Sequence, residues 1–254
     1  MNYIEFLNFW YDAALVSGFT MLGLGALNYL IFKINFAAKK TYKEKFDLVS
    51  KKETKRLLQT HLFIAGALFF FVNDAFTQDI ELSPVWFIVR MFVSFCIAVL
   101  YGYVSYLVLQ FHYPVRLEKK LKKLRYTPRI NPKNGKEMIL LNEDEEDAYL
   151  DEGMQAEEST FSCDYDVWID ESTGDTHIEK YEGHVGALEC DRCGFQTLKL
   201  SNEEIIREPT ETEDGEILKE YMCSYCHRIK RKNVPLLKKI KDRSEVSDHL
   251  IAEQ

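Results

Sequence analysis

The sequence predicts an α-helical membrane domain of three transmembrane helices, followed by a small β-rich cytoplasmic domain. Three long apolar stretches within residues 1–112 predict the helices, because about 20 apolar residues are needed to cross the hydrocarbon core. Short alternating segments separated by turn residues predict the strands of the second domain. Averages over all 254 residues, with 46% hydrophobic residues and a net charge of −8, conceal this division.

The predicted spans occupy residues 13–32, 57–76 and 86–111. The stretch before the first span has no basic start and no small-residue cleavage site, so we expect this span to remain in the mature protein. The second span is the most polar of the three, because it contains His61, Asn73 and Asp74.

Lysine and arginine residues set the predicted orientation, since they accumulate in cytoplasmic loops. The loop at residues 33–56 carries nine of them, and the segment at residues 113–128 is also strongly basic. The link at residues 77–85 and the N-terminal stretch carry none. The sequence therefore predicts an N-terminus outside the membrane and a C-terminal domain in the cytoplasm.

Charged and titratable residues in the spans suggest two alternatives to a purely anchoring role. Asp74 and Arg90 lie near the outer ends of neighbouring spans and are predicted to form an ion pair, because an unpaired charge in a bilayer is costly. A proton or ion path through the same pair remains open. His61 and His112 are expected near the cytoplasmic surface as polar anchors, with haem ligation as the alternative.

Two features of the membrane domain predict partners. Ala14, Gly18 and Gly25 form a stripe of small residues that favours close helix packing, within this chain or in a homo-oligomer. The segment at residues 113–128 is predicted to be a basic juxtamembrane helix on anionic lipid. Its predicted lipid-contacting residues are Lys119, Lys120, Lys122, Lys123 and Arg125.

The domain at residues 129–235 is strongly acidic. Residues 143–226 contain 26 Asp and Glu against 5 Lys and Arg, a balance that repels nucleic acid. Residues 143–158 are predicted to form one short, exposed, acidic helix. The following stretch predicts a strand with Tyr165, Val167 and Ile169 on one face and Trp168 on the other. A hairpin turn at Gly174 follows, and later two more strands around an acidic turn.

Four cysteines are predicted to staple this domain, which is too small to be stable by apolar burial alone. Two Cys-x-x-Cys pairs, 29 residues apart at the tips of hairpins, suit one tetrahedral, structural Zn²⁺ in a zinc ribbon. A redox dithiol is the alternative, although neither pair begins a helix in a βαβ unit. Cys96 and Cys163 are expected to be a membrane-packing residue and an isolated thiol. The predicted ligands are Cys190, Cys193, Cys223 and Cys226.

Residues 129–232 resemble the C-terminal cytoplasmic tail of bacterial TPM domain-containing membrane proteins. The resemblance lies in EEDAYLDEGMQAEESTFSCDYDVWI, LECDRCGFQTLKL and EYMCSYCHRIKR. It implies a zinc-bearing tail in the cytoplasm and location in the bacterial inner membrane. In that family a second zinc site precedes this one, but here its thiol positions are occupied by Asn131, Asn134, Asp170 and Thr173. We expect the TPM domain itself to be absent, so the resemblance implies no enzymatic activity.

The sequence therefore predicts a non-enzymatic membrane protein that presents its acidic zinc-ribbon domain to a membrane or cytoplasmic protein partner, as a scaffold or interaction subunit. A transport or energy-coupling subunit that uses Asp74 and Arg90 is the first alternative, and a redox or haem protein is the second. The segment at residues 236–254 is predicted to be a C-terminal tail, either a docking helix or a loose end.

Overall fold

The computed structural model describes residues 3–74, 84–183 and 185–238. The chain forms two compact units, Met1–Thr127 and Pro128–Gln254. The link between the second and third predicted spans falls largely, and the predicted tail almost entirely, outside the described residues.

The first unit is helical. The helices are α1 (Tyr3–Ala38), α2 (Tyr42–Leu48), α3 (Thr54–Asp74), α4 (Pro84–Leu107) and α5 (Tyr113–Arg125). One π-helical turn (Val49–Glu53) joins α2 to α3 and another (Val108–His112) joins α4 to α5, so that Tyr42–Asp74 and Pro84–Arg125 are each continuous. Together with α1, these are three helices long and apolar enough to cross a membrane. The prediction of three such helices is confirmed.

Small residues bring α1 and α3 together. A Cβ atom on Gly18 would lie 2.7 Å from the ring of Phe71, and one on Gly25 would lie 3.2 Å from Cβ of Phe63. Glycine therefore allows these two helices to approach more closely than larger residues would. Gly18 and Gly25, two members of the predicted small-residue stripe, are thus used for packing within the chain.

Polar and aromatic contacts attach the last long helix to the other two. His61 Nδ1 of α3 lies 2.9 Å from the hydroxyl of Tyr101 in α4. The ring of Phe87 packs edge to face against Phe6 and Trp10 of α1, with centroids 5.7 Å apart in both pairs. The first unit is therefore a three-helix bundle with contacts among all three long helices.

The second unit contains two antiparallel three-stranded sheets. The first has the order β1 (Ile139–Leu140), β2 (Cys163–Asp170), β3 (Asp175–Glu182), and the second has the order β4 (Leu198–Arg207), β5 (Gly215–Cys223), β6 (Ile229–Leu236). Two short helices, α6 (Glu143–Glu146) and α7 (Glu152–Ser159), precede β2. The coarse prediction of a small β-rich region is confirmed.

The first sheet is covered on both faces, because the side chains of β2 alternate as predicted. Tyr165 and Val167 form an apolar core with Leu150 on one face. On the other face the guanidinium of Arg129 stacks on the ring of Trp168, 4.7 Å from its centroid, and makes a buried ion pair of 2.6 Å with Glu179. Charge pairing and hydrogen bonding make burial of this polar face tolerable.

The acidic stretch at residues 143–158 differs from the prediction of one exposed helix. Asn142 caps α6 and Asp151 caps α7, each accepting a hydrogen bond from a backbone N–H three residues on. The second cap starts a new helix and so breaks the run in two. Glu146 and Glu157 are also buried, at 4% and 0% exposure, rather than lying on a solvated face.

The sixth strand has no counterpart in the sequence prediction. It pairs with β5 from Ile229 to Leu236, although its sequence, IKRKNVPL, lacks an apolar alternation. Lysines and a proline are typical of edge strands, where they discourage pairing with further chains. A pattern based on hydrophobic alternation does not detect such a strand.

Candidate metal centre

Each Cys-x-x-Cys pair forms a tight turn, which we call a knuckle. In the first knuckle the N–H of Gly194 donates to the carbonyl of Cys190 at 2.9 Å, and in the second the N–H of His227 donates to the carbonyl of Cys223 at 3.1 Å. In both, the first cysteine also donates its N–H to the carbonyl five residues on, at 2.9 Å. Gly194 and His227 end the turns with positive φ angles of 78° and 59°.

The two knuckles bring all four predicted ligands together. Sγ of Cys190 lies 3.6 Å from Sγ of Cys226, and Sγ of Cys193 lies 3.8 Å from Sγ of Cys223. All four sulfurs lie within 4.8 Å of one another, and all are free thiols. Tetrahedral bonds of about 2.3 Å would place neighbouring sulfurs roughly 3.8 Å apart. The structure therefore shows a four-cysteine cluster that could hold a metal ion.

Local hydrogen bonds favour the thiolate form at one ligand. Although burial opposes it, the hydroxyl of Thr197 at 3.0 Å and the N–H of Cys226 at 3.3 Å lower the pKa of the Cys223 thiol to about 6. A metal binds the thiolate, not the thiol. By contrast, burial raises the pKa of Cys193 to about 12 and also raises the pKa of Cys226, so the shift toward the thiolate is not shared by these two ligands.

A second pair of knuckles, without cysteines, lies at one end of the first sheet. Here Gly135 donates its N–H to the carbonyl of Asn131 at 2.8 Å, and Gly174 donates to that of Asp170 at 2.7 Å, as in the cysteine knuckles. Both glycines have a φ of 72°. The two cysteine knuckles and the two knuckles without cysteines therefore share the same backbone hydrogen bond, and each ends at a residue with a positive φ angle.

Side-chain hydrogen bonds connect the two turns of this second pair. The amides of Asn131 and Asn134 both donate to Oδ2 of Asp170, at 2.7 and 2.5 Å. With Ser172, whose contribution is the largest, these donors hold the pKa of the Asp170 carboxyl well below its usual range. The side chains of Asn131 and Asp170 are buried, so this hydrogen-bond network is shielded from solvent and holds the two turns together.

Glu157 connects the four-cysteine cluster to the first sheet. Its position in an acidic stretch of the sequence did not predict this role. Its carboxylate is fully buried and accepts hydrogen bonds from Lys180 at 2.7 Å, from the Tyr165 hydroxyl and from the N–H of Gln196 at 2.5 Å. Although burial raises its pKa, these three donors lower it overall. Because Gln196 directly precedes Thr197, the partner of Cys223, Glu157 fixes the first knuckle onto β2 and β3.

The other two cysteines lie elsewhere. Cys163 is buried in the core of the first sheet, where its thiol donates to Oε1 of Gln196 at 3.0 Å. Cys96 is exposed on α4. Neither belongs to the four-cysteine cluster.

The predicted pair Asp74 and Arg90 lies at the ends of α3 and α4 that adjoin residues 75–83. Nη2 of Arg90 donates to the hydroxyl of Tyr11 at 3.3 Å, and its guanidinium stacks on the Tyr11 ring, 5.0 Å from the centroid. Within the described residues, Nε and Nη1 of Arg90 are buried without a hydrogen-bond partner. An ion pair with Asp74 stays a prediction.

The two histidines considered for haem are not brought together. His61 is bonded to Tyr101, which precedes His112 by eleven residues on the same continuous helix, a rise of roughly 16 Å. The imidazole of His61 therefore has a structural partner within the bundle.

The predicted lipid-contacting residues all lie on α5. Lys120 forms an ion pair of 2.7 Å with the nearly buried Glu53 and lies over the ring of Phe36. Lys122 pairs with Glu118 at 2.8 Å, and Arg125 lies over the ring of Tyr126. Lys120 therefore anchors α5 to the bundle, while lipid contact by the group stays a prediction.

Comparison with known proteins adds no relative from which a role could be transferred. No protein-family model, curated protein or solved structure matches this chain.

Proposed function

We propose that the protein is a non-enzymatic integral membrane protein whose three helices anchor a zinc-stapled domain in the cytoplasm. That domain acts as a scaffold or interaction subunit of a larger membrane assembly. The observation that carries the proposal is the four-cysteine cluster in the unit that follows three apolar helices. The positive charge of residues 33–56 supports the cytoplasmic placement.

Zinc is the metal that the donor set favours. Four thiolates in tetrahedral arrangement select zinc or an iron–sulfur centre, and two separate knuckles closing on one point are the usual arrangement for a single zinc ion. Four protein ligands leave no coordination position for water or a substrate. The chemistry of the site is therefore structural, and the ion would join the knuckle after β5 to the knuckle before β4.

The second sheet offers the surface for a partner. Strand β4 lies at its edge and exposes Leu200, Ile205 and Ile206, at 47%, 56% and 53%. Exposed apolar residues and unpaired backbone groups on an edge strand are features of protein-binding surfaces. The metal cluster holds the base of this sheet, where Leu198 pairs with Cys223. Loss of the metal should therefore remove the surface.

The resemblance of residues 129–232 to the tails of bacterial TPM domain-containing proteins supports the same proposal. It implies location in the bacterial inner membrane and gives no reason to assign an enzymatic activity to the tail. The acidic character of the unit disfavours nucleic acid as the partner.

Site-specific photo-crosslinking in the cells that make the protein tests the proposal. A photoreactive residue in place of Ile205 should give one discrete protein adduct in the membrane fraction. The same residue in place of Glu171, exposed in the turn after β2, is the matched control and should give none. Adding Cys223→Ser should abolish the adduct. Absence of an adduct at Ile205, or an adduct that survives Cys223→Ser, would contradict the proposal.

Two nitrogens of Arg90, Nε and Nη1, have no hydrogen-bond partner among the described residues, which favours a second candidate, a transport or energy-coupling subunit. Buried N–H groups without protein partners inside an apolar bundle are typical of water-filled or ion-conducting positions. Asp74→Asn separates the candidates, since it should leave the Ile205 adduct intact under the first proposal. A loss of proton-linked growth with the adduct preserved would favour transport.

A further inference from the structure

A cavity of about 450 Å³ lies beside α3 at the end of the bundle that adjoins the basic loop. It is lined by Asn28 of α1 and by Arg56 and Gln59 of α3, with Leu62 and Phe63 below them. Its upper part is therefore polar and cationic, and its lower part is apolar. Such an amphipathic lining suits a ligand that is itself amphipathic.

The guanidinium of Arg56 is held in place by α1. Its Nη1 donates to Oδ1 of Asn28 at 2.9 Å, and the Asn28 amide in turn donates to Oγ1 of Thr60 at 2.9 Å. Within the described part of the chain, Nη1 is the one side-chain nitrogen of Arg56 with a protein partner. The remaining N–H groups of a fixed, planar guanidinium favour a phosphate oxygen over a neutral group.

An apolar groove continues from this cavity along the same side of α3. The groove has a volume of about 530 Å³ and is lined by Leu62, Gly66 and Phe69 of α3 and by Phe95 and Gly102 of α4, among others. Leu62 lines both spaces. Gln59, Leu62, Gly66 and Phe69 follow helical spacing, so cavity and groove share one face.

The dimensions of this face match those of a phospholipid. Gln59 and Phe69 are separated by a rise of about 15 Å along α3, which is the thickness of one hydrocarbon leaflet. The basic loop at residues 33–56 places Arg56 at the level of the lipid headgroups. We infer that this face binds one anionic glycerophospholipid, with its phosphate on Arg56 and one acyl chain in the groove. The inference relies on the membrane insertion assumed under the proposed function, but not on zinc or a protein partner.

Native mass spectrometry of the full chain tests the inference. The purified protein is incubated in mild detergent with equal amounts of dioleoyl phosphatidylglycerol and dioleoyl phosphatidylcholine. We expect one phosphatidylglycerol to be retained per chain. Arg56→Gln should lower its retention by about tenfold, the factor expected for one charge-assisted hydrogen bond. Lys136→Gln, the same charge change at an exposed position of the second unit, should leave retention unchanged.

A second variant tests the groove without touching the cation. A Cβ atom on Gly102 would lie 3.9 Å from Ala65 and Leu62, so Gly102→Leu fills the groove without a backbone clash. It should lower retention of both lipids while Arg56 remains. Equal retention of the two lipids, or equal losses in Arg56→Gln and Lys136→Gln, would overturn the inference. Displacement of the lipid by inorganic phosphate would also overturn it and would identify a simple phosphate site. Metal content and the Ile205 adduct are independent of all these outcomes.

Discussion

At the scale of single residues, the backbone at the end of each knuckle is left-handed, and one of the four positions is not a glycine. His227 has a φ of 59°, whereas Gly135, Gly174 and Gly194 lie at 72° to 78°. Left-handed backbone costs a residue with a Cβ atom about 1 kcal/mol or more relative to glycine. The cysteine knuckle that ends at His227 therefore contains local backbone strain, which the cysteine knuckle that ends at Gly194 avoids.

His227→Gly should relieve this strain. We expect the free energy of unfolding of the second unit to rise by about 0.5–1 kcal/mol, measured by denaturant titration of the metal-loaded protein. Gly194→Ala, the reverse change in the first knuckle, should lower it by about 1–2 kcal/mol. If both changes altered the free energy of unfolding by the same amount and in the same direction, the left-handed backbone of these turns would not determine the stability of the site.

Glu146 predicts an unusual dependence of stability on pH. Burial, and then repulsion from Glu158, raise the pKa of its carboxyl to about 7. The folded state thus binds a proton more tightly than the unfolded state, and this group favours folding less as the pH rises from about 4.5 to 7. Above pH 7 it contributes a constant destabilisation.

Glu146→Gln should therefore stabilise the protein at pH 8 by about 1 kcal/mol and have little effect at pH 4. Thermal unfolding at both pH values provides the measurement. Glu152→Gln, at an exposed position of α7, serves as the control and should change neither value. A stabilisation by Glu146→Gln that is the same at both pH values would argue against titration of this group.

At the scale of secondary-structure elements, the two sheets of the second unit are each held at one end by a cluster of side chains, and the two clusters differ in chemistry. The second sheet ends on the cysteine cluster, whereas the first sheet ends on the hydrogen-bonded cluster of Asn131, Asn134 and Asp170. The first sheet also has its own core around Tyr165 and Val167. Only one of the two sheets should therefore depend on a metal for its order.

Chelation should separate the two sheets. After metal removal under reducing conditions, we expect amide hydrogens of β4–β6 to exchange rapidly, because metal binding supplies much of the folding energy of small metal sites. Those of β2 and β3 should stay protected. Hydrogen–deuterium exchange followed by mass spectrometry resolves the two regions. Simultaneous loss of protection in both sheets would mean that Glu157 couples them into one cooperative unit.

The sequence allowed prediction of those elements that depend on local patterns. The three long helices follow from apolar runs, and the cysteine cluster follows from spacing alone. Strand β6 was not predicted, because its sequence is rich in charged residues and does not alternate between apolar and polar residues. The role of Glu157 could not be predicted either, because its partners, Lys180 and Gln196, are distant along the chain. Burial of a charge by distant partners leaves no local signal in an acidic run.

At the scale of the whole molecule, the chain combines an apolar helical bundle with an acidic unit that contains a four-cysteine cluster. Three helices are long enough to anchor it, and the four thiols are close enough to share one ion. The proposed role as an interaction subunit depends on that ion, since the exposed strand β4 is fixed at its base by the cluster. The metal content of the protein therefore tests the proposed role most directly.

The measurement is elemental analysis of the full-length protein purified under reducing conditions. We expect one equivalent of zinc per chain, lost in Cys190→Ser and Cys223→Ser and retained in Cys163→Ser. The buried thiol of Cys163, which lies outside the cluster, makes the last variant a matched control. Protein without bound metal, whose four thiols instead form disulfides reversibly, would contradict a structural zinc site and make a redox dithiol the better interpretation.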